Sequence, residues 1–261
     1  MKAMIFAAGL GTRLRPLTDT RPKALVNVEA TVGGKRVSEP LLWWVLKRLR
    51  DAGIDEFVVN VHHFAPLVRE WVVSESGFSA SVRFSDESEC LLDTGGGILK
   101  ALPLLLDNYD GPFLVHNVDI VSNLDYRAFT ALPMDGILAR LVVCDSPSDR
   151  KLLFDASMRL VGWTNLKTGE IKGPAALMAE PARKALRPYS FTGIHLISSD
   201  MAKAFTGFEH DSDVFGIIDF YLAVCSKYPI FGFLREDFEF VDAGTVGSLS
   251  DAGKLLDGLK L

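Results

Sequence analysis

The sequence has no apolar run long enough to cross a bilayer as a helix, which excludes a helical membrane-spanning role. It is poor in cysteine. Cys90, Cys144 and Cys225 are odd in number, scattered, and form no CxxC pair, so neither a disulfide framework nor a zinc site is expected, and a reducing cytoplasm is. The five histidines show no metal-ligand spacing; His62 and His63 are adjacent and on a strand would face opposite sides. Net positive charge is also lacking: at −5 overall, the chain has no basic excess with which to bind along a nucleic acid. Internal repeats, low-complexity tracts, the Walker pattern of a P-loop and a Pro/Gly/Ser linker are all absent. What remains is a chain of 261 residues, 48% hydrophobic and 10% aromatic, able to bury the core of one large α/β domain.

Positive charge is concentrated at the start. Residues 1–30 hold five basic and two acidic side chains, and the stretch "MIFAAGLGTRLRPLTDTRPKAL" passes from a buried strand into glycines and then into Arg13, Arg15, Arg21 and Lys23. The run behind Lys2 meets Gly11-Thr12-Arg13 rather than a small-residue cleavage site, so a strand is expected there and not a secretory signal. Gly9-Leu10-Gly11 with Glu29 is a partial dinucleotide fingerprint. The third glycine position is Leu14, however, and Pro16 and Pro22 would break the crossover helix. The reading left is a glycine loop that lets the backbone approach a polyphosphate while four cations stand within reach of it; the alternative is a solvated basic loop.

Further along, "SEPLLWWVLKRLRDAG" reads as a helix capped by Ser38 or Glu39, with Pro40 in its first turn and Gly53 at its stop. "EFVVNVHH", "ASVRFSDE" and "PFLVHNVD" read as strands, and "APLVREWVVS" and "TGGGILKALPLLL" as helices. This βαβα rhythm predicts a doubly wound α/β sheet up to residue 144. Beyond it, "KLLFDASMRLVGW", "SFTGIHLI" and "PIFGFLRE" predict mixed sheet that extends the first and builds a lobe over its edge, with helices in "SDMAKAFTGF" and "DVFGIIDFYLAVC".

Ligands of such sheets gather at strand carboxyl ends. The Gly95, Gly96, Gly97 turn is read as main chain exposed to the edge of a base, the alternative being a tight helix start. Asp119 and Asp242 both end apolar strands, where a carboxylate is costly unless paired or bound to a cation. The two together suggest Mg²⁺, which takes few carboxylates along with water and phosphate oxygens; singly, either could be a cap or turn residue.

With these residues assembled, the chain resembles the sugar-1-phosphate nucleotidyltransferase family over nearly its full length. "FAAGLGTRLRPLTDTRPKAL" is similar to that family's opening loop, Asp119 matches the Asp of its Asn-Gly-Asp strand end, and "VDAGT" is similar to its Asp-Val-Gly-Thr motif. "DTGGGILKALPLL" most resembles the N-acetylmuramic acid 1-phosphate uridylyltransferases within it, with mannose- and heptose-1-phosphate guanylyltransferases next.

The resemblance implies a Rossmann-like, doubly wound mixed sheet of the nucleotide-diphospho-sugar transferase type with a small sugar-binding lobe. It implies one domain over 1–261, with a nucleotide-binding half at 1–144 and a sugar-binding half at 145–261. Also implied are a cytoplasmic monomer or homodimer serving cell-envelope synthesis, and attack by a sugar 1-phosphate (N-acetylmuramic acid 1-phosphate) on the α-phosphorus of a triphosphate (UTP).

The same resemblance makes Arg13 and Lys23 catalytic, Asp119 and Asp242 ligands of Mg²⁺, and Ala8, Gly9, Gly11, Thr12, Arg13 and Gly95 to Gly97 nucleotide-binding. Asn117, Thr192 and Gly193 fall to the sugar. Two positions depart from the pattern: Val118 replaces a glycine, and in place of a Glu-Lys-Pro motif there is "TGEIKG" with Lys172. Val118 is the one hint of a rival reading, a regulatory nucleotide-binding protein without turnover.

Overall fold

The computed structural model describes residues 1–75, 78 and 81–259. In chain order its strands are β1 (Lys2–Phe6), β2 (Asn27–Val32), β3 (Lys35–Pro40), β4 (Glu56–Val61), β5 (Val82–Asp86), β6 (Phe113–Asn117) and β7 (Ile120–Ser122). They continue with β8 (Ala139–Cys144), β9 (Arg150–Phe154), β10 (Leu160–Asn165), β11 (Ile171–Lys172), β12 (Arg187–Ile197), β13 (Ile230–Leu234) and β14 (Phe240–Asp242). Among the described residues no helix is long and apolar enough to cross a membrane.

β1, β4 and β6 are nearly continuous runs of apolar residues, as strands covered on both faces must be. Side-chain alternation along β1 sends Ala3 and Ile5 to one face, against Leu42, Val45 and Leu49 of the helix Leu41–Asp51. Met4 goes to the other, with Ile98, Ala101 and Leu105 of the helix Asp93–Leu105. The two core clusters are thus the two faces of one sheet.

β5, β4, β1 and β6 are parallel neighbours in that order, with β1 flanked by β4 and β6. Strand order therefore reverses at β1, and such a switch point opens a crevice beyond the carboxyl ends of β1 and β6. β12 runs antiparallel to both β6 and β8, and β13 lies parallel to β8, so the second half of the chain completes the first half's sheet.

β12 also builds the lobe. Its first residues, Arg187 to Tyr189, pair with β9, which continues antiparallel into β10 and β11, whereas Ile194 to Ile197 pair with β6. Between these stretches the register with β8 shifts, and Gly193 takes φ +83° at the irregularity. That bend aims the lobe across the crevice.

Three features differ from the sequence reading. Ser38 and Glu39 do not cap the first helix; they belong to β3, paired with β2 around Gly33 and Gly34, both at positive φ as a tight hairpin turn requires, and Pro40 stands at the N-cap. Asp242 ends a strand outside the main sheet, in the two-stranded ribbon β7·β14. The helix Val246–Gly258, which no pattern marked, opens with a reciprocal capping box between Thr245 and Ser248 and lies against β2, where a Cβ on Gly253 would overlap the Glu29 carbonyl.

Candidate active site

The opening loop leaves β1 under tight control. The amides of Ala7 and Ala8 donate to Asn60 Oδ1 at 2.7 and 3.2 Å, and Asn60 Nδ2 donates to Glu87 Oε1 at 2.8 Å. Glu87 is fully buried, and its second oxygen accepts from the Leu92 amide at 3.1 Å. Thus a satisfied buried network ties the ends of β1 and β4 to the start of the Asp93–Leu105 helix, and the Ala8 amide is already engaged. Gly9 stands open, with nothing within 4 Å of where a Cβ would be. Gly11 caps the short turn Thr12–Leu14 at φ +63°, and a Cβ there would press to 3.0 Å on Lys23 and Thr18. The glycine therefore lets the loop lie directly over Lys23.

Asp119 and Asp242 come together through that ribbon. Asp242 faces Ile120 in the register, and the Ala243 amide donates to the Asp119 carbonyl at 2.8 Å. Each carboxylate meets one cation of the opening loop: Lys23 Nζ donates to Asp119 Oδ2, and Arg13 Nη2 to Asp242 Oδ2 at 3.3 Å. The first pair is sheltered, its side chains 12% and 16% exposed; the second is open at 60% and 44%. Gly244 is forced by this arrangement, because a Cβ would sit 2.5 Å from both Arg13 Nη2 and Asp242 Oδ1. Arg15 pairs instead with Asp19 at 3.4 Å, and neither it nor Arg21 borders the crevice. Val118 turns its side chain into the core at 3% exposure while its amide donates to the Phe6 carbonyl at 3.1 Å, so Asp119 still reaches the crevice.

Two cavities meet at Phe6, Thr94, Asn117 and Asp119. The smaller, about 450 Å³, is bounded by Ala8, Gly9, Lys23, Asn60, Leu91 and Val214. The larger, about 880 Å³, runs from Arg13 and Asp242 to the lobe. Asn117, Thr192 and Gly193 line it together, and a Cβ on Gly193 would overlap the Asn117 amide, so strand and bend meet only because that residue is glycine. The Thr192 hydroxyl donates to the Val142 carbonyl at 2.9 Å.

Gly95, Gly96 and Gly97 do not present main chain to this space. They lie buried in the first turns of the helix, with the Gly95 and Gly96 amides donating to the Phe215 carbonyl at 2.8 and 3.2 Å. A Cβ would overlap the Phe215 ring at Gly95, overlap the Asp213 carbonyl at Gly96, and stand 2.9 Å from the Phe6 ring at Gly97. The glycines serve close packing behind the wall. The wall itself is Thr94, whose hydroxyl accepts from the Ile217 amide at 3.0 Å.

The motifs left Arg150 and Trp163 unmarked, although both line the larger cavity with Lys172. The signal was available in the alternation of β9 and β10, where Arg150 and Leu152 share a face, as do Trp163 and Asn165.

Two buried histidines brace the floor. His116 donates from Nδ1 to the Asn117 carbonyl and accepts from the Tyr126 hydroxyl at Nε2, both at 2.7 Å, while His195 bonds the Tyr221 hydroxyl at 2.7 Å. Burial holds each imidazole down at about 3, from an ordinary 6.5. The folded chain keeps them neutral where the unfolded chain takes up protons, so their contribution is full above pH 6.5 and is lost progressively as pH falls toward 3. Linkage makes this about 2 kcal/mol for each histidine at pH 5. The melting temperature should therefore drop by more than about 5 °C between pH 7.5 and pH 5, and a flat profile over that range would contradict it.

The nucleotidyl transferase family model matches residues 2–136. N-acetylmuramate alpha-1-phosphate uridylyltransferase of Neisseria meningitidis serogroup B is 38% identical over 61% of this chain and 68% of its own length. The enzyme of the same name from Caulobacter vibrioides is 44% identical over 46% of each chain. Among solved structures, HddC from Yersinia pseudotuberculosis complexed with GMP-PN superposes with a TM-score of 0.65 at 22% identity, covering 97% of this chain and 98% of that one, which speaks to the fold. With its crevice at the switch point, its paired acids and its cationic opening loop, the chain belongs to the nucleotidyl transferase family and is a nucleotidyltransferase.

Proposed function

We propose that the enzyme joins UTP to N-acetylmuramic acid 1-phosphate, giving the UDP-sugar and pyrophosphate. The observation that carries the site assignment is the pairing of Asp119 with Lys23 where the two cavities meet and of Asp242 with Arg13 along the larger one. The names borne by the two uridylyltransferase relatives support the choice of base and sugar. In this reading residues 1–144 bind the nucleotide, with the base in the smaller cavity and ribose and phosphates along Ala8, Gly9, Gly11, Thr12 and Arg13. Gly95 to Gly97 back that wall. Residues 145–261 supply the sugar lobe, with Thr192 and Gly193 joining Asn117 beside the sugar.

An oxygen of the sugar 1-phosphate attacks the α-phosphorus as the bond to the β-phosphate oxygen breaks, and pyrophosphate leaves with that electron pair. The attacking group is already anionic, so no strong base is needed; the obstacle is anion meeting anion. Arg13 grips the departing β- and γ-phosphate oxygens as a planar fork, and Lys23 stands as a point charge at the α-phosphate.

The acids fit Mg²⁺ by their chemistry: two oxygen donors, each holding a cation in this structure. Among the described residues no third His, Cys, Asp or Glu joins them, which leaves the other positions to water and phosphate. When bound at Asp119 and Asp242, the ion supplies charge neutralisation across the phosphates. The free thiols, two of them buried, support a reducing cytoplasmic setting and, with this sugar, a role in the cell envelope.

The test is a matrix of the four triphosphates against several sugar 1-phosphates, scored by pyrophosphate. Release should require both substrates and be fastest with UTP and N-acetylmuramic acid 1-phosphate. Equal release from triphosphate alone would mean a hydrolase. A lead for GTP with mannose 1-phosphate would move the assignment to a guanylyltransferase, and no release from any pair would favour a binding protein.

A further inference from the structure

We propose that Arg150 selects the sugar by holding a carboxylate on it. This rests on the reading above and adds the residue that would tell an acidic sugar 1-phosphate from a neutral one.

The lobe presents one face of β9, β10 and β11 to the larger cavity. In its register Arg150 stands opposite Asn165, Leu152 opposite Trp163, and Trp163 opposite Lys172, and all five line the space. The cations of this space differ in what they already hold. Arg13 is taken by Asp242, and Lys172 by Glu170 at 3.6 Å, with its ammonium 5.2 Å over the Trp163 ring. Lys23, from the smaller cavity, is taken by Asp119. Among the described residues no carboxylate or carbonyl takes the Arg150 guanidinium. Its backbone, by contrast, is pinned: the Arg150 amide donates to Ser148 Oγ at 3.2 Å, and Ser148 Oγ donates to the Arg150 carbonyl at 3.3 Å.

A sugar 1-phosphate brings one anion, and the reaction requires it beside Lys23, Arg13 and the two acids. A second cation on the lobe, with no acid of its own, calls for a second anion on the substrate. N-acetylmuramic acid differs from N-acetylglucosamine by a lactyl ether ending in a carboxylate, which matches a guanidinium in shape as well as charge. Leu152 and Trp163 beside it offer apolar surface for the sugar ring and the lactyl methyl group.

The test compares kcat/KM, at saturating UTP and Mg²⁺, for N-acetylmuramic acid 1-phosphate and N-acetylglucosamine 1-phosphate in the wild type, Arg150→Met and Arg150→Lys. The wild type should prefer the acid. Arg150→Met should lower that preference by about tenfold to a hundredfold, the worth of one charge-assisted contact, through KM and not kcat. Arg150→Lys should retain part of it. A preference unchanged in Arg150→Met, or equal losses for both sugars, would overturn the inference. So would a wild type that uses both sugars alike, while leaving nucleotidyl transfer to N-acetylmuramic acid 1-phosphate in place; a wild type that uses neither overturns the substrate assignment and the inference together.

Discussion

Asp119→Asn and Asp242→Asn should each lower kcat/KM for pyrophosphate release by about 10²- to 10³-fold, the range typical of losing one preorganised charge contact at a reacting centre. The substitution keeps size and one acceptor oxygen but removes the charge that would hold Mg²⁺. The two variants should part company in stability. From sequence alone, two neighbouring carboxylates are expected to repel in the metal-free protein, so that folding should survive the loss of either or even improve. The structure shows each acid already neutralised by a cation. Asp119→Asn leaves the sheltered Lys23 ammonium without its anion and should cost about 1–3 kcal/mol. The Arg13 and Asp242 side chains are largely exposed, so Asp242→Asn should change stability by less than about 1 kcal/mol. Urea denaturation separates these outcomes from activity. An Asn variant with wild-type turnover and unchanged magnesium dependence would remove the metal site.

Lys23→Ala should cut turnover about a hundredfold or more, and Arg13→Ala should act mainly on the triphosphate KM. The difference follows from placement. Lys23 borders the smaller cavity beneath Gly11 and touches Asp119, within a protected setting where a point charge acts strongly on a phosphorus gaining negative charge. Arg13 reaches in from the exposed side, where it can follow the phosphates that leave. Because Lys23 occupies Asp119 in the free enzyme, Lys23→Ala should also bind Mg²⁺ more tightly without nucleotide, by calorimetry. Near-normal kinetics in both variants with intact folding would return the loop to ordinary solvated surface.

The parallel half of the fold was readable because β1, β4 and β6 are buried on both faces and the first helix, Leu41–Asp51, carries a clear apolar stripe between Pro40 and Gly53. The β2·β3 hairpin was missed although Val28, Ala30 and Val32 alternate before Gly33-Gly34, since Ser38-Glu39-Pro40 mimics a helix start. Asp119, Asp242, Arg13 and Lys23 were legible as isolated residues of the right chemistry. That they form two ion pairs was not, because the contact depends on a ribbon between segments remote in sequence. The glycines at 95–97 show the opposite limit. Sequence registers that a side chain is excluded there, but whether a ligand or the 213–215 segment excludes it is decided by tertiary packing.

The most direct measurement of the proposed chemistry is to carry ¹⁸O on the nonbridging phosphate oxygens of N-acetylmuramic acid 1-phosphate, supply UTP and Mg²⁺, and follow the products by ³¹P NMR and mass spectrometry. Attack by the sugar phosphate on the α-phosphorus places label in the bridge between the two phosphates of the UDP-sugar and none in pyrophosphate. Label in pyrophosphate, or UMP formed in place of the UDP-sugar, would contradict it.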